Sequence, residues 1–192
     1  MQSEWSSIRI KKGPGGCGDV TDTKKNDIIS RAVVVWRRMG LTDEQIAFGV
    51  ATMNVEAGFN AKAENPNTKA YGLGQFLKGT WNDAVNYYNK RHEPDIDSKK
   101  GKTDESSQIL VMGAWIKYVW NKTSVIKDHE RLRNFGCEEI AYGLWHEGQN
   151  AGLSKIAAYL NGNYKAVHGF FDETYTEALY ILSPSQGPAP SF

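Results

Sequence analysis

Glu56 is the residue whose type and surroundings best suit acid–base chemistry in this chain of 192 residues. It lies in the last turn of a predicted helix, between the apolar residues Val55 and Ala57 and two positions before Gly58. The negative end of the helix dipole and a partly apolar environment both disfavour a charged carboxylate. We therefore expect a raised pKa that keeps the Glu56 carboxyl protonated near neutral pH, as a general acid requires. The alternative is an exposed glutamate ahead of an ordinary helix-ending glycine.

A glycine-rich segment follows Glu56 and supplies candidate ligand contacts. It reads Ala70-Tyr-Gly-Leu-Gly-Gln-Phe76 and leads to Gly79-Thr-Trp81. Glycines let the backbone approach a ligand closely, and the amide of Gln75 offers two donors and an acceptor. The two aromatic rings of the segment could stack on a cyclic ligand or could fill the core. The candidate binding residues are Tyr71, Gly72, Leu73, Gln75 and Phe76.

Helices predominate among the elements that must position these residues. Apolar residues recur at helical spacing from Ile28 to Met39 and from Ile46 to Met53, and Thr42-Asp-Glu-Gln45 forms a capping box ahead of the second helix. Residues 59–78 have no helical period and predict a loop, or at most a small hairpin near 60–75. The fold class is therefore mainly α. The predicted helices cover 24–39, 42–57, 81–90 (capped by Thr80), 103–121 (opened by Thr103), 137–146, 152–161 and 171–182.

Composition and charge limit the possible classes of protein. Lysine plus arginine total 23 and aspartate plus glutamate 22, and a net charge of +1 gives no support to a nucleic-acid-binding protein. No apolar run approaches the roughly 18 residues that a membrane-spanning helix needs, and the N-terminus lacks the apolar region of a signal peptide. Cys17 and Cys137 have no metal-ligand spacing, so we expect two free thiols, no metal and no cofactor.

The chain is predicted to form one folded domain with two loose ends. A glycine-containing, slightly basic leader covers residues 1–20, and an uncharged tail rich in proline and serine covers 183–192. The domain between them, residues 21–182, is long enough to bury a substantial core. We expect it to be a monomer.

Three ordered motifs resemble the soluble lytic transglycosylases and goose-type lysozymes. They are Glu56-Ala-Gly-Phe-Asn60, then Gly72-Leu-Gly-Gln75 with Gly79-Thr-Trp81, then Ala141-Tyr-Gly-Leu144, and they lie within residues 42–162. The resemblance implies a lysozyme-like fold. It also implies a muramidase that cleaves the β-1,4 bond between N-acetylmuramic acid and N-acetylglucosamine. The implied partner is the glycan strand of bacterial peptidoglycan.

The same resemblance implies roles for individual residues. Glu56 matches the catalytic acid, Gln75 matches a glutamine that lines the cleft and contacts substrate, and Tyr142 matches the tyrosine whose hydroxyl orients the acid. Gly74 stands where that family has methionine. We interpret this glycine as opening space in the groove.

A second carboxylate decides between two reaction outcomes. A hydrolase needs one at about 5 Å from the acid if it retains configuration, or at roughly 6.5–9.5 Å if it inverts. The candidates are Glu64, for which a solvated loop position is the stronger expectation, and Glu147, which follows His146. Weaker candidates are Asp83, Asp95, Asp97 and Asp104.

With no convincing second carboxylate, the sequence favours lytic transglycosylation. In that route the N-acetyl group of the substrate assists, and Glu56 first protonates the glycosidic oxygen. Glu56 then takes the proton of the C6 hydroxyl, which closes a 1,6-anhydro ring without water. Hydrolysis with Glu64 or Glu147 stays open as the alternative.

A small wall-degrading enzyme without an evident signal peptide suits a bacteriophage endolysin, a virion-associated lysin or a secretion-system accessory enzyme. It would be made in the host cytoplasm and act at the cell wall in the periplasm. Two other classes stay open: a related glycosidase such as a chitinase-like enzyme, and a non-catalytic glycan-binding module. Ala57 and Gly143, which replace a serine and an asparagine of the family, allow the binding module. The presence of Glu56, Gln75 and Tyr142 together argues against it.

Overall fold

Helices make up the regular structure of residues 4–11 and 20–183, the two ranges that the computed structural model describes. Neither range contains a strand. The mainly α class predicted from the sequence is confirmed. The helices are α1 (Asp22–Arg38), α2 (Asp43–Ala57), α3 (Lys78–Asn89), α4 (Ser98–Gly101), α5 (Glu105–Ile126), α6 (Cys137–Glu147), α7 (Leu153–Asn161) and α8 (His168–Leu182), with a 3₁₀ turn at Asn163–Ala166.

Local sequence signals set both ends of α2, the helix that carries Glu56. The Thr42 hydroxyl accepts a hydrogen bond from the Gln45 backbone, and the Gln45 side chain accepts one from the Thr42 backbone, which is the predicted capping box. Gly58 ends the helix with φ of 53°, in the left-handed region that favours glycine. Glu56 therefore lies in the last turn of α2, as predicted.

At the starts of α3 and α5 the capping residue differs from the sequence prediction. Leu77, in an extended conformation, is the residue that precedes α3, so this helix begins at Lys78. Thr80 therefore lies inside the helix and does not cap it. Asp104, not Thr103, caps α5, since its carboxylate accepts the backbone N–H of Ser107 over 2.8 Å. Both corrections move a helix boundary by only a few residues.

α2 runs through the centre of the domain and packs mainly against α8, α5 and α1. Its residues are buried on all faces, as expected for a helix enclosed by others. A Cβ at Gly49 would lie 2.4 Å from the Trp36 ring of α1, so a larger residue would force the two helices apart. The Trp36 indole also donates to the carbonyl of Ile109 in α5 over 2.8 Å. This packing encloses the helix that carries the candidate acid.

The N-terminal segment, residues 4–11, packs against the helices. Trp5 and Ile8 are buried, and the ammonium group of the buried Lys25 donates to the Ile8 carbonyl over 2.6 Å. This packing corrects the prediction of a loose leader for the part of it that the structure describes, because two apolar side chains and a buried polar contact anchor it. Most of the rest of the predicted leader and tail, residues 1–3, 12–19 and 184–192, lies outside the described residues.

The thiol of Cys137, at the first position of α6, forms no disulfide bond. Cys17 lies outside the described residues, so its state stays a prediction. None of the described helices combines the length and the apolar character that crossing a membrane requires.

Candidate active site

The candidate site is built around a hydrogen bond between two helices. α2 presents Glu56 and α6 presents Tyr142, whose hydroxyl donates to Oε1 of Glu56 over 2.7 Å. The Tyr142 side chain is 2% exposed, and the rings of Tyr159, Tyr164 and Phe171 surround it. The structure thus brings together the two residues that the sequence resemblance paired, and packing holds the donor in place.

Burial dominates the electrostatics of the Glu56 carboxyl. Desolvation raises its pKa, while the hydrogen bond from Tyr142 and the nearby charges of His146 and Lys11 act in the opposite direction. The net direction is upward, as a general acid requires. Burial and the charge of Glu56 also raise the pKa of Tyr142, so its hydroxyl remains a donor.

A cleft of about 480 Å³ opens beside Glu56, a size typical of small-ligand sites. One wall is the loop of residues 58–77 between α2 and α3, and the other is the C-terminal end of α6. Besides Glu56, the lining residues are Asn65, Thr68, Ala70, Gly74, Gln75, Phe76, Leu77, Thr80, Trp115, Trp145, His146, Glu147 and Gly148.

Gln75 lines the cleft, but its amide group mainly holds the loop in shape. Its Nε2 donates to the carbonyls of Ala63 and Gly72, each over 3.0 Å. Its backbone has φ of 47°, an unusual value for a residue other than glycine. Since the amide donors are used inside the loop, the oxygen is the part of this side chain suited to contact a ligand.

Three other predicted binding residues, Tyr71, Gly72 and Leu73, do not line the cleft. Leu73 is buried, with 1% of its surface exposed. Tyr71 forms isolated antiparallel bridges with Glu64 and Phe76. These two bridges are the β structure that the loop contains, where the sequence predicts at most a small hairpin. These three residues lie outside the cleft lining, and a ligand contact by any of them stays a prediction. Phe76 is the aromatic residue of this segment that reaches the cleft.

Gln108 of α5 is the supporting residue that the sequence reasoning missed. Its side chain is 3% exposed and donates to the carbonyls of Ala61 and Lys102, each over 2.9 Å. Its Oε1 accepts the N–H of Leu73 over 2.9 Å, and a Cβ at Gly72 would lie 2.5 Å from the same oxygen. One buried glutamine thus anchors the loop at both ends. The available signal was a polar residue on the apolar face of a long helix.

Aromatic rings fill the cleft floor around Gly74. The Trp145 indole donates to the Gly74 carbonyl over 3.1 Å, and the Trp145 and Phe76 ring centroids lie 5.1 Å apart. A Cβ at Gly74 would lie 2.8 Å from atoms of both rings. The prediction that Gly74 opens space in the groove is therefore wrong, because the two rings occupy that space.

Of the two main candidates for a second carboxylate, only Glu147 lines the cleft. Glu64 is about half exposed and pairs with Lys69 over 3.2 Å, which fits the solvated position expected for it. Glu147 places Oε1 3.0 Å from Nδ1 of His146 and Oε2 2.9 Å from the Lys155 ammonium. Desolvation works against its charge, but these partners lower the pKa of Glu147, so it is ionised at neutral pH.

The four weaker candidates lie elsewhere. Asp97 and Asp104 accept backbone N–H groups at the starts of α4 and α5, Asp83 accepts a hydrogen bond from Gln149, and Asp95 is exposed. Among the described residues, Glu56 and Glu147 are thus the acidic residues that line the cleft.

Comparison with known proteins shows the family to which the chain belongs. A helical domain with a half-buried glutamic acid of raised pKa beside a cleft has the features of a lysozyme-like glycosidase. The phage tail lysozyme family model matches residues 29–124, half of the chain, and the chain belongs to this family. Its general function is therefore lysozyme-like degradation of peptidoglycan, as the sequence resemblance implied. No curated protein and no solved structure gives a significant match.

Replacing Gly74 with methionine, the residue that the resembling enzymes carry here, is expected to destabilise the protein by roughly 1–3 kcal/mol, because the side chain must displace two packed rings. Denaturant unfolding measures the effect. Gly79→Ala is the matched control, since a Cβ there meets nothing within 4 Å and the position is helical. It should be neutral or slightly stabilising. Wild-type stability of Gly74→Met would contradict the packing described here.

Tyr142→Phe is expected to raise the pKa of Glu56 further, because the lost hydrogen bond favours the ionised carboxylate. A ¹³C NMR titration of the side-chain carboxyl of Glu56 measures the change. Tyr164→Phe is the control, since it removes another buried hydroxyl that bonds Asp172 over 3.3 Å. A Glu56 titration that is the same in Tyr142→Phe and wild type would show that the hydroxyl does not act on the acid.

Proposed function

We propose that this protein is a muramidase in which Glu56 acts first as general acid and then as general base. The bond broken is the β-1,4 link between N-acetylmuramic acid and N-acetylglucosamine. The hydrogen bond between Glu56 and Tyr142 at the wall of the cleft is the observation that carries this proposal. Burial raises the pKa of the Glu56 carboxyl, which favours the protonated form, and the hydrogen bond from Tyr142 fixes the direction in which the carboxyl points.

Support for this site comes from two separate sources. The family match contains Glu56 and the 58–77 loop, but it ends at residue 124. The opposite wall, with Trp145 and His146, lies beyond that match, as does the buried Tyr142 that bonds Glu56, and their support is geometric. Both walls meet at the same carboxyl group, which supports one active site made from distant parts of the chain.

We infer that the reaction is lytic transglycosylation. The other acidic residue of the cleft, Glu147, has its two oxygens engaged by His146 and Lys155. These contacts lower the pKa of Glu147 against the effect of desolvation, so its carboxylate is a weaker base and nucleophile than an unpaired one. This favours a route in which the substrate supplies its own nucleophiles.

In this route Glu56 first donates a proton and then accepts one. Glu56 gives its proton to the glycosidic oxygen as the bond from that oxygen to C1 of the muramoyl residue breaks, while the N-acetyl group assists at C1. The Glu56 carboxylate then takes the proton of the C6 hydroxyl as the C6 oxygen bonds to C1. The products are a shortened strand and a 1,6-anhydromuramoyl end, and Glu56 is protonated again.

Two departures from the transglycosylase pattern do not weaken the catalytic interpretation. Ala57 is 1% exposed, and a Cβ at Gly143 would lie 3.0 Å from Ile156 of α7. Both positions face the packed interior. The replacement of serine by Ala57 and of asparagine by Gly143 therefore removes no polar side chain from the cleft. This argues against a glycan-binding module that has lost its activity.

Membership of the phage tail lysozyme family supports a virion-associated lysin over an endolysin. We propose that the protein acts on the wall of the bacterial host. Its monomeric state stays a prediction.

Glu56→Gln is expected to lower the rate of peptidoglycan clearing by about 10²–10⁴-fold, because glutamine cannot transfer the proton. A turbidity assay on purified cell walls measures the rate. Glu64→Gln is the matched control, since it makes the same change at an exposed loop position outside the cleft, and it should clear walls at the wild-type rate. Equal clearing by Glu56→Gln and wild type would remove Glu56 from the mechanism.

Mass spectrometry of the digested walls is expected to show 1,6-anhydromuramoyl ends with wild type and with Glu147→Gln alike. A hydrolytic lysozyme is the second candidate, because Glu147 lines the same cleft as Glu56. That mechanism predicts reducing muramoyl ends with wild type and their loss in Glu147→Gln. Reducing ends would therefore contradict the transglycosylase proposal.

A further inference from the structure

The last turn of α2 has a carbonyl group that the helix itself does not satisfy. The final carbonyls of any α-helix lack partners inside the helix. The carbonyl of Asn54 accepts the N–H of Gly58 over 2.9 Å, whereas the carbonyl of Val55 accepts the ammonium group of Lys11 over 3.0 Å. Lys11 thus supplies the partner that the Val55 carbonyl lacks within the helix, in the turn that carries Glu56.

A buried asparagine holds Lys11 in this position. Oδ1 of Asn54 accepts the backbone N–H of Lys11 over 2.9 Å, and its Nδ2 donates to the Arg9 carbonyl over 2.7 Å and to the Thr174 hydroxyl over 3.1 Å. The Lys11 carbonyl also lies so close to Gly58 that a Cβ there would be 2.6 Å away. The N-terminal segment is therefore fitted tightly over the end of α2.

Lys11 brings a positive charge to the negative end of the helix dipole. The groups that act on the Glu56 carboxyl are Tyr142 and His146 of α6 and Lys11. Burial raises the pKa of Tyr159 of α7, and the Glu56 charge raises it further. Burial lowers the pKa of Lys11, and the charge of Glu56 opposes this effect. The lysine and the glutamate are thus electrostatically coupled across a partly buried site.

We propose that Lys11 is a positioning residue of the active site, which fixes the last turn of α2 and places a positive charge next to the Glu56 carboxyl. This charge offsets part of the desolvation of the carboxylate, so Glu56 can release its proton and take one back within a cycle. The inference rests on the proposed role of Glu56. Lys11 precedes residues 29–124, so the family match does not include it.

The test compares three variants of the full chain. In Lys11→Met the loss of the positive charge is expected to raise the pKa of Glu56, so the alkaline limb of the kcat/KM profile moves to higher pH. Lys11→Arg keeps the charge and should restore the wild-type profile. Arg9→Met is the matched control, because it removes a cation of the same segment that pairs with Glu173 of α8. It should leave the alkaline limb in place.

A ¹³C NMR titration of the Glu56 carboxyl gives a readout that needs no turnover, with Glu56→Gln to assign the signal. Thermal unfolding shows whether each variant is folded, and Lys11→Gln is a second neutral variant if Lys11→Met is not. A Glu56 titration that stays at the wild-type position in the neutral variants would overturn the inference, as would an equal shift in Arg9→Met. A shifted titration in a protein whose wild type clears no walls would overturn the proposed function and support the role of Lys11.

Discussion

The desolvation of the Glu56 carboxyl group is the constraint on which the arrangement of the site depends. Burying a carboxylate is unfavourable unless hydrogen bonds or opposite charges compensate. α2 is enclosed by α1, α5 and α8, and this packing places the end of the helix, with Glu56, in a poorly hydrated position. Tyr142 and Lys11 bring a hydroxyl and a cation to the same place from opposite ends of the chain. The last turn of α2 is therefore both part of the packed core and the position of the proposed proton donor.

The cleft depends on a loop that has almost no regular secondary structure of its own. Residues 58–77 contain two isolated bridges, and their shape comes from buried polar contacts. Gln108 holds the loop from α5, Trp145 holds it from α6, and Gln75 ties it internally. A loop fixed from both sides keeps its lining residues at constant distances from the acid, which is the preorganisation that catalysis requires.

Long-range contacts make the site larger than the part of the chain that the family model recognises. The acid and the loop lie within residues 29–124, whereas the residues that orient the acid lie before and after this range. Tyr142 is 86 residues from Glu56, and Lys11 is 44 residues from Val55. The outer parts of the chain thus set the environment of a group that the central part supplies.

The sequence by itself determined the helical class, the capping box and glycine stop of α2, and the place of Glu56 in its last turn, because these depend on residues a few positions apart. The pairing of Glu56 with Tyr142 followed from the motif resemblance. Tertiary structure alone decided that Glu147 and not Glu64 lines the cleft, that rings surround Gly74, and that Gln108 and Lys11 brace the site. The physical reason is that each of these outcomes depends on which distant side chains pack together in the folded chain. The spacing of residues along the sequence does not specify these contacts.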